Sequence, residues 1–87
     1  MKKFWKRKKV LITGHTGFKG VWLSLVLKEF GSRIAGFSLK PRDIDIFYKE
    51  IKNKKIYEYE KFGNISDKKN LKTIFDKFKP DIIFHLA

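Results

Sequence analysis

Cysteine is absent from the 87 residues. That excludes a disulfide framework, thiolate metal sites and cysteine nucleophiles, and it is compatible with a reducing compartment. Histidine is nearly absent as well. His15 and His85 have no Ser, Cys or carboxylate at a suggestive spacing, so structural roles are expected of both and no metal centre. Acidic residues are scarce, nine against 21 Lys and Arg, for a net charge of +12. Such a balance invites nucleic acid as a partner, but no helix-turn-helix, zinc-finger or RNP-like pattern accompanies it. The excess is nearly all lysine, spread from Lys2 to Lys79, and nucleic acid is not the expected partner. Long apolar runs are missing too. After the basic leader, residues 1–8, the apolar stretch is only Val10-Leu11-Ile12, too short for a signal peptide or a membrane span. A cytoplasmic protein without a membrane partner is expected.

What is present is enough for one small domain. The hydrophobic fraction is 43%, with nine Phe, which can build a core and excludes a disordered chain. The most informative stretch is Val10-Leu11-Ile12-Thr13-Gly14-His15-Thr16-Gly17-Phe18-Lys19-Gly20. An apolar run of the kind found in buried parallel strands stops at a glycine, two more glycines follow at three-residue intervals, and a helical pattern begins. Gly14 permits the tight turn, Gly17 lets backbone approach a ligand, and Gly20 lets the helix pack against the strand. The first N–H groups of that helix lack intrahelical partners and lie at its positive end, an anion site suited to a pyrophosphate. The spacing is GxxGxxG rather than the commoner GxGxxG, and the alternative is a bare structural turn. Its place between a strand and a helix favours a dinucleotide.

The rest of the chain alternates strands and helices. Phe4 and Trp5 are expected to anchor the leader beneath a first strand over Lys9 to Thr13. A helix over Phe18 to Phe30 places Leu23, Val26, Leu27 and Phe30 on one face, and Gly31 ends it. A second strand is expected at Arg33 to Ser38. Beyond Pro41, Asp43 is expected to cap a short helix through Ile44, Phe47, Tyr48 and Ile51. Ile56 to Glu60 alternates apolar and charged residues as a third strand. Asp67 is a good N-cap for a helix carrying Leu71, Ile74, Phe75 and Phe78, which Pro80 stops. Asp81 to Ala87 reads as a buried strand. The class is α/β: a partial Rossmann-like parallel sheet of about four strands in the order 3-2-1-4, half of a doubly wound domain.

Thr13-Gly14-x-x-Gly17-Phe18-x-Gly20, with His15-Thr16, Lys19 and Trp22-Leu23 and the earlier Phe4-Trp5, resembles the CDP-glucose 4,6-dehydratase branch of the extended short-chain dehydrogenase/reductase superfamily. Gly63-Asn64-Ile65-Ser66-Asp67 is similar to the family's Gly-Asp-Ile-x-Asp, and Phe84-His85-Leu86-Ala87 to its fourth strand. The resemblance is weakest at residues 40–60. It implies a tightly held NAD. Its cofactor-binding set is Gly14, Thr16, Gly17, Phe18, Lys19, Gly20, Ser38, Asn64, Ile65, Leu86 and Ala87. In it the backbone N–H groups of Phe18 and Lys19 meet the pyrophosphate, and Asn64 accepts from the adenine amino group through its side-chain oxygen. Ile65 sandwiches the ring, and Leu86 and Ala87 pass beneath adenine and ribose. An acid roughly 20 residues past the glycines normally binds the ribose. Here stand Ser38, Leu39, Lys40, Pro41 and Arg42, whose cations suit a 2′-phosphate. NAD is nonetheless expected ahead of NADP.

The family's reaction, as the resemblance implies it, turns a sugar nucleotide into its 4-keto-6-deoxy form and uses a Tyr-x-x-x-Lys pair after the fourth strand. Tyr48 with Lys52 and Tyr57 with Lys61 match literally, but both precede that strand and are expected to be chance. Residues 1–87 are therefore read as an N-terminal NAD(P)-binding half-domain, with catalytic and sugar-nucleotide-binding parts absent. It is expected to be a truncated or split piece that is inactive alone, and a chain supplying the missing half is a candidate partner. The alternatives are a fragment of another NAD-dependent sugar-nucleotide epimerase or dehydratase, a non-catalytic nucleotide-binding module, and last a basic nucleic-acid-binding domain. The bare strand edge and sheet face that such a half leaves are expected to make the isolated chain marginal or sticky.

Overall fold

Val10, Leu11 and Ile12 are all wholly buried because their strand lies inside a sheet covered on both faces. In the computed structural model, which describes residues 2–87, four parallel strands pair in the order β3-β2-β1-β4. They are β1 Lys9–Thr13, β2 Arg33–Ser38, β3 Tyr57–Phe62 and β4 Ile82–His85. Val10 stands opposite Ile34 on one side and Ile82 on the other. The helices are α1 Lys2–Trp5, α2 Phe18–Glu29, α3 Ile46–Ile51 and α4 Lys68–Phe78, with a 3₁₀ turn Lys52–Lys54 after α3. The strand order is the one read from the alternation of strands and helices.

Successive strand residues feed opposite faces. Val10, Ile12 and Ile34 pack with Leu27 of α2, and Trp5 and Phe84 close over them. Leu11, Ala35 and Phe37 pack with Ile74 and Phe78 of α4. A third cluster joins Val21, Tyr48, Ile51 and Ile56 between α2, α3 and the entry to β3. The leader is held in place: the Arg7 N–H donates to the Gly31 carbonyl at 2.9 Å and the Ser32 hydroxyl to the Trp5 carbonyl at 2.7 Å. Trp5 is the anchor, whereas Phe4 lies exposed with its edge against Trp5.

Four local expectations are corrected. The buried face of α2 is Gly20, Val21, Ser24 and Leu27, while Val26 is exposed. This helix is apolar nearly all round, so periodicity alone does not say which stripe faces the sheet. Asp45, not Asp43, stands at the N-cap of α3. Ile44 therefore lies outside the helix and is exposed. β3 begins at Tyr57 and continues to Phe62, because Ile56 is drawn into the cluster with Ile51 instead. Gly20 meets the glycine turn rather than the strand, as described next.

Candidate functional site

The turn after β1 is shaped by absent side chains. Gly14 has φ +78°, and its N–H donates to the Phe37 carbonyl at 2.7 Å. A Cβ there would fall 2.9 Å from the Ala87 nitrogen, so glycine is needed for conformation and for space. A Cβ on Gly20 would lie 2.6 Å from the His15 Cα, so α2 starts hard against the turn itself. Gly17 differs. A Cβ there would meet only the Gly14 carbonyl oxygen, at an ordinary 3.6 Å. Protein packing therefore does not demand glycine at position 17, which faces open space at the mouth of a cleft. No side chain caps α2, so the first-turn N–H groups of Phe18 and Lys19, with no carbonyl one turn back, stay open.

The cleft has a volume of about 370 Å³. Of the residues expected to hold a dinucleotide, Gly14, Thr16, Gly17, Ser38, Asn64, Ile65, Leu86 and Ala87 line it together. They come from the ends of all four strands and the start of α2, the carboxyl edge where open α/β sheets bind ligands. The remaining three do not line it. Phe18 and Lys19 are exposed at the helix start, with Phe18 packing edge-on against Trp22, and Gly20 is buried behind the turn.

The polar groups of the cleft are partly committed. Ser38 donates its hydroxyl proton to the Leu39 carbonyl at 2.7 Å, so Thr16 is the donor in the 3.0 Å contact between their hydroxyls. This ties the turn to the end of β2. The side-chain oxygen of Asn64 accepts from both the N–H and the hydroxyl of Ser66, at 2.9 and 2.8 Å. Both lone pairs are thus used, and the oxygen expected to meet an adenine amino group is engaged in its own loop.

Asp45 is the residue that the sequence reading missed. It lines the cleft with Lys40 and Arg42. It is buried, accepting the Arg42 backbone N–H at 2.7 Å, with the guanidinium at 3.4 Å. That N–H foremost, against the opposing effect of burial and with help from the guanidinium, holds its carboxyl below the usual range. An acid does reach the cleft beyond Ser38 and Leu39, then, but its charge is already answered. The signal available was an acid beyond Pro41, hidden because it follows the strand by several irregular residues.

Behind the cleft lies a buried polar cluster. His15 is wholly buried, and its Nε2 lies 2.8 Å from the Glu60 carboxylate of β3. The Tyr48 hydroxyl donates to the same carboxylate oxygen at 2.5 Å. The imidazole is ringed by Tyr48, Tyr57 and Phe62 and fills the space left by the missing side chain of Gly36. Burial, and secondarily the Glu60 contact, pushes the Tyr48 hydroxyl far above its ordinary value. Burial pushes Tyr57 up to about 12, its hydroxyl donating to Ser24 at 3.0 Å. Both hydroxyls are committed as donors inside the protein, Tyr48 to Glu60 and Tyr57 to Ser24, and neither tyrosine lines the cleft. His85 is hydrogen-bonded to the Thr13 hydroxyl at 2.7 Å.

Residues 11–87 match the family model described as GDP-mannose 4,6 dehydratase. The chain belongs to this dehydratase family. It is 40% identical over 86 residues to the CDP-glucose 4,6-dehydratase of Salmonella typhimurium, a match covering 99% of this chain and 24% of that protein. The fold is also that of the epimerase Mth375 from Methanothermobacter thermautotrophicus, with a TM-score of 0.73 and 29% identity over 99% of this chain and 24% of the other. The dTDP-glucose 4,6-dehydratase of Bacillus anthracis, solved in complex with NAD, superimposes with a TM-score of 0.72 over 92% of this chain and 26% of its own, at 21% identity. This dehydratase-family chain thus spans about a quarter of the length of these relatives, and it corresponds to the N-terminal part of such proteins. Among the described residues no helix is long and apolar enough to cross a membrane.

Proposed function

We propose that the chain is the NAD-binding N-terminal part of a CDP-glucose 4,6-dehydratase, a half-domain over residues 1–87 that is inactive by itself. One observation carries the coenzyme reading: Gly17 is bare where the protein leaves room for a side chain, at the mouth of a cleft beside an uncapped helix start. A ligand pressing on the turn explains a glycine that packing does not require. The N–H groups of Phe18 and Lys19 take the pyrophosphate, and the Lys19 side chain adds charge from solvent. Ile65 and Leu86 flank the adenine. Asn64 presents its amide nitrogen there, or frees its oxygen by giving up Ser66. When bound, NAD supplies the hydride acceptor and donor of the family's chemistry. The chain's own part is to hold and orient that coenzyme. The base that acts on the sugar belongs outside these residues, since the two candidate tyrosines are tied up internally.

NAD is favoured over NADP because a buried carboxylate, Asp45, lines the cleft beside Lys40 and Arg42. Arg42 leans on that carboxylate, which also repels a 2′-phosphate. The identity of 40% to the Salmonella protein supports CDP-glucose as the sugar nucleotide. Among the described residues β4 pairs with β1 alone, which leaves its other edge open to a further strand. Calorimetric titration of the chain with NAD and NADP tests the coenzyme. Binding of NAD, with NADP weaker, is expected, together with no dehydratase turnover by the chain alone. Failure of both dinucleotides to bind would refute the reading.

A further inference from the structure

The His15–Glu60 pair has no part in the chemistry above, and its geometry points to a role. His15 lies in the turn between Gly14 and Thr16, which both line the cleft. Its own side chain runs the other way, into the core, where it is wholly buried. Glu60, on β3, does not line the cleft. An ionised carboxylate is an acceptor only, so His15 Nε2 and the Tyr48 hydroxyl are the donors to it. The Nδ1 of His15 is left without a partner among the described residues. Burial alone is better served by an apolar residue: replacing a buried ion pair with apolar groups of similar volume is often neutral or stabilising. Three aromatic rings already surround this position, and an aliphatic side chain would suit them. What the polar pair adds is direction, because a hydrogen bond fixes an angle and a distance where apolar contact does not.

We propose that Glu60, acting through His15, is a positioning residue for the phosphate-binding turn. The carboxylate on β3 pulls the imidazole into the slot over Gly36, and the His15 backbone then sets where Gly14, Thr16 and Gly17 stand. Coenzyme affinity is thereby governed from a residue outside the cleft. This inference rests on the coenzyme reading, so the experiment begins with NAD titration of the unaltered full chain. The triple variant His15→Leu, Glu60→Leu, Tyr48→Phe removes all three polar groups together and leaves none of them buried alone. It is expected to melt no lower than the unaltered chain yet to bind NAD at least about tenfold more weakly, the loss that one charge-assisted hydrogen bond represents. His15→Gln, which keeps a donor towards Glu60, is expected to recover most of that affinity. If the unaltered chain binds no NAD, the coenzyme reading fails and takes this inference with it. If the unaltered chain binds and the folded triple variant binds equally well, the inference alone is overturned. Should circular dichroism show the triple variant unfolded, Glu60→Gln is judged by the same comparison. A matched loss of affinity in Ile74→Val, on the opposite face of the sheet, would also overturn it, since affinity would then follow stability.

Discussion

Gly20 and Glu60 show how much single residues decide here, one by what it leaves out and the other by what it accepts. At Gly20 a methyl group would press on the His15 backbone, which cannot rotate away as a side-chain tip can. Gly20→Ala is therefore expected to destabilise the chain by about 1–3 kcal/mol, the range for overpacking a filled core, measurable as a lower urea midpoint. At Glu60 burial pushes the carboxyl up, but hydrogen bonds from His15 and Tyr48 and the charge of His15 together bring it below its ordinary value. A folded value below the unfolded one means that the contribution to stability is present above about pH 4.3, the unfolded value. It is lost as pH falls through the lower folded one. Urea unfolding at a series of pH values is expected to show stability falling as acid is added below about pH 4, with a shallower fall in Glu60→Gln. A fall of equal steepness in that variant would show that other carboxylates carry the effect.

Among the elements, α4 and α2 differ in how plainly they announce themselves. Asp67 accepts the Asn70 N–H at 3.3 Å, the N-cap contact expected from its place before the helix. Asp67→Ala is expected to cost about 1 kcal/mol, read from a thermal melt, and to leave NAD binding intact. The apolar stripe of α4 stands out against lysines, so Ile74 and Phe78 could be assigned to the core from spacing alone. In α2 nearly every residue is apolar, and the sheet rather than the pattern selects Val21, Ser24 and Leu27. The segment between β2 and β3 was the least legible for a related reason. There Asp45 binds the Arg42 N–H three residues back instead of capping α3, a local competition that composition does not reveal.

On the scale of the molecule, the outer edge of β4 and the α4 face beside it are unusual. Among the described residues β4 pairs only with β1, and Ile83, which shares the face of Leu11 and α4, is 44% exposed. An apolar parallel strand with a free edge is a pairing site for another chain. Analytical ultracentrifugation is expected to show concentration-dependent association, which Ile83→Lys should reduce. A monodisperse monomer at high concentration would contradict this. Arg33 and Glu58 form the best-shaped surface ion pair, at 2.6 Å, but both are about half exposed and such a pair adds little to stability. The burden falls on the apolar clusters.

Strand order and the glycine turn were decided by short-range chemistry that can be read along the chain: apolar runs, glycine spacing, one good N-cap and the alternation of strands with helices. Those signals are local because each depends on backbone geometry within a few residues. The commitment of Asp45 and Asn64, the choice of stripe on α2 and the bond from His15 to Glu60, 45 residues apart, were decided only when the sheet brought distant segments together. Hydrogen-bond partners and burial are properties of neighbours in space, and a sequence orders its neighbours only along a line.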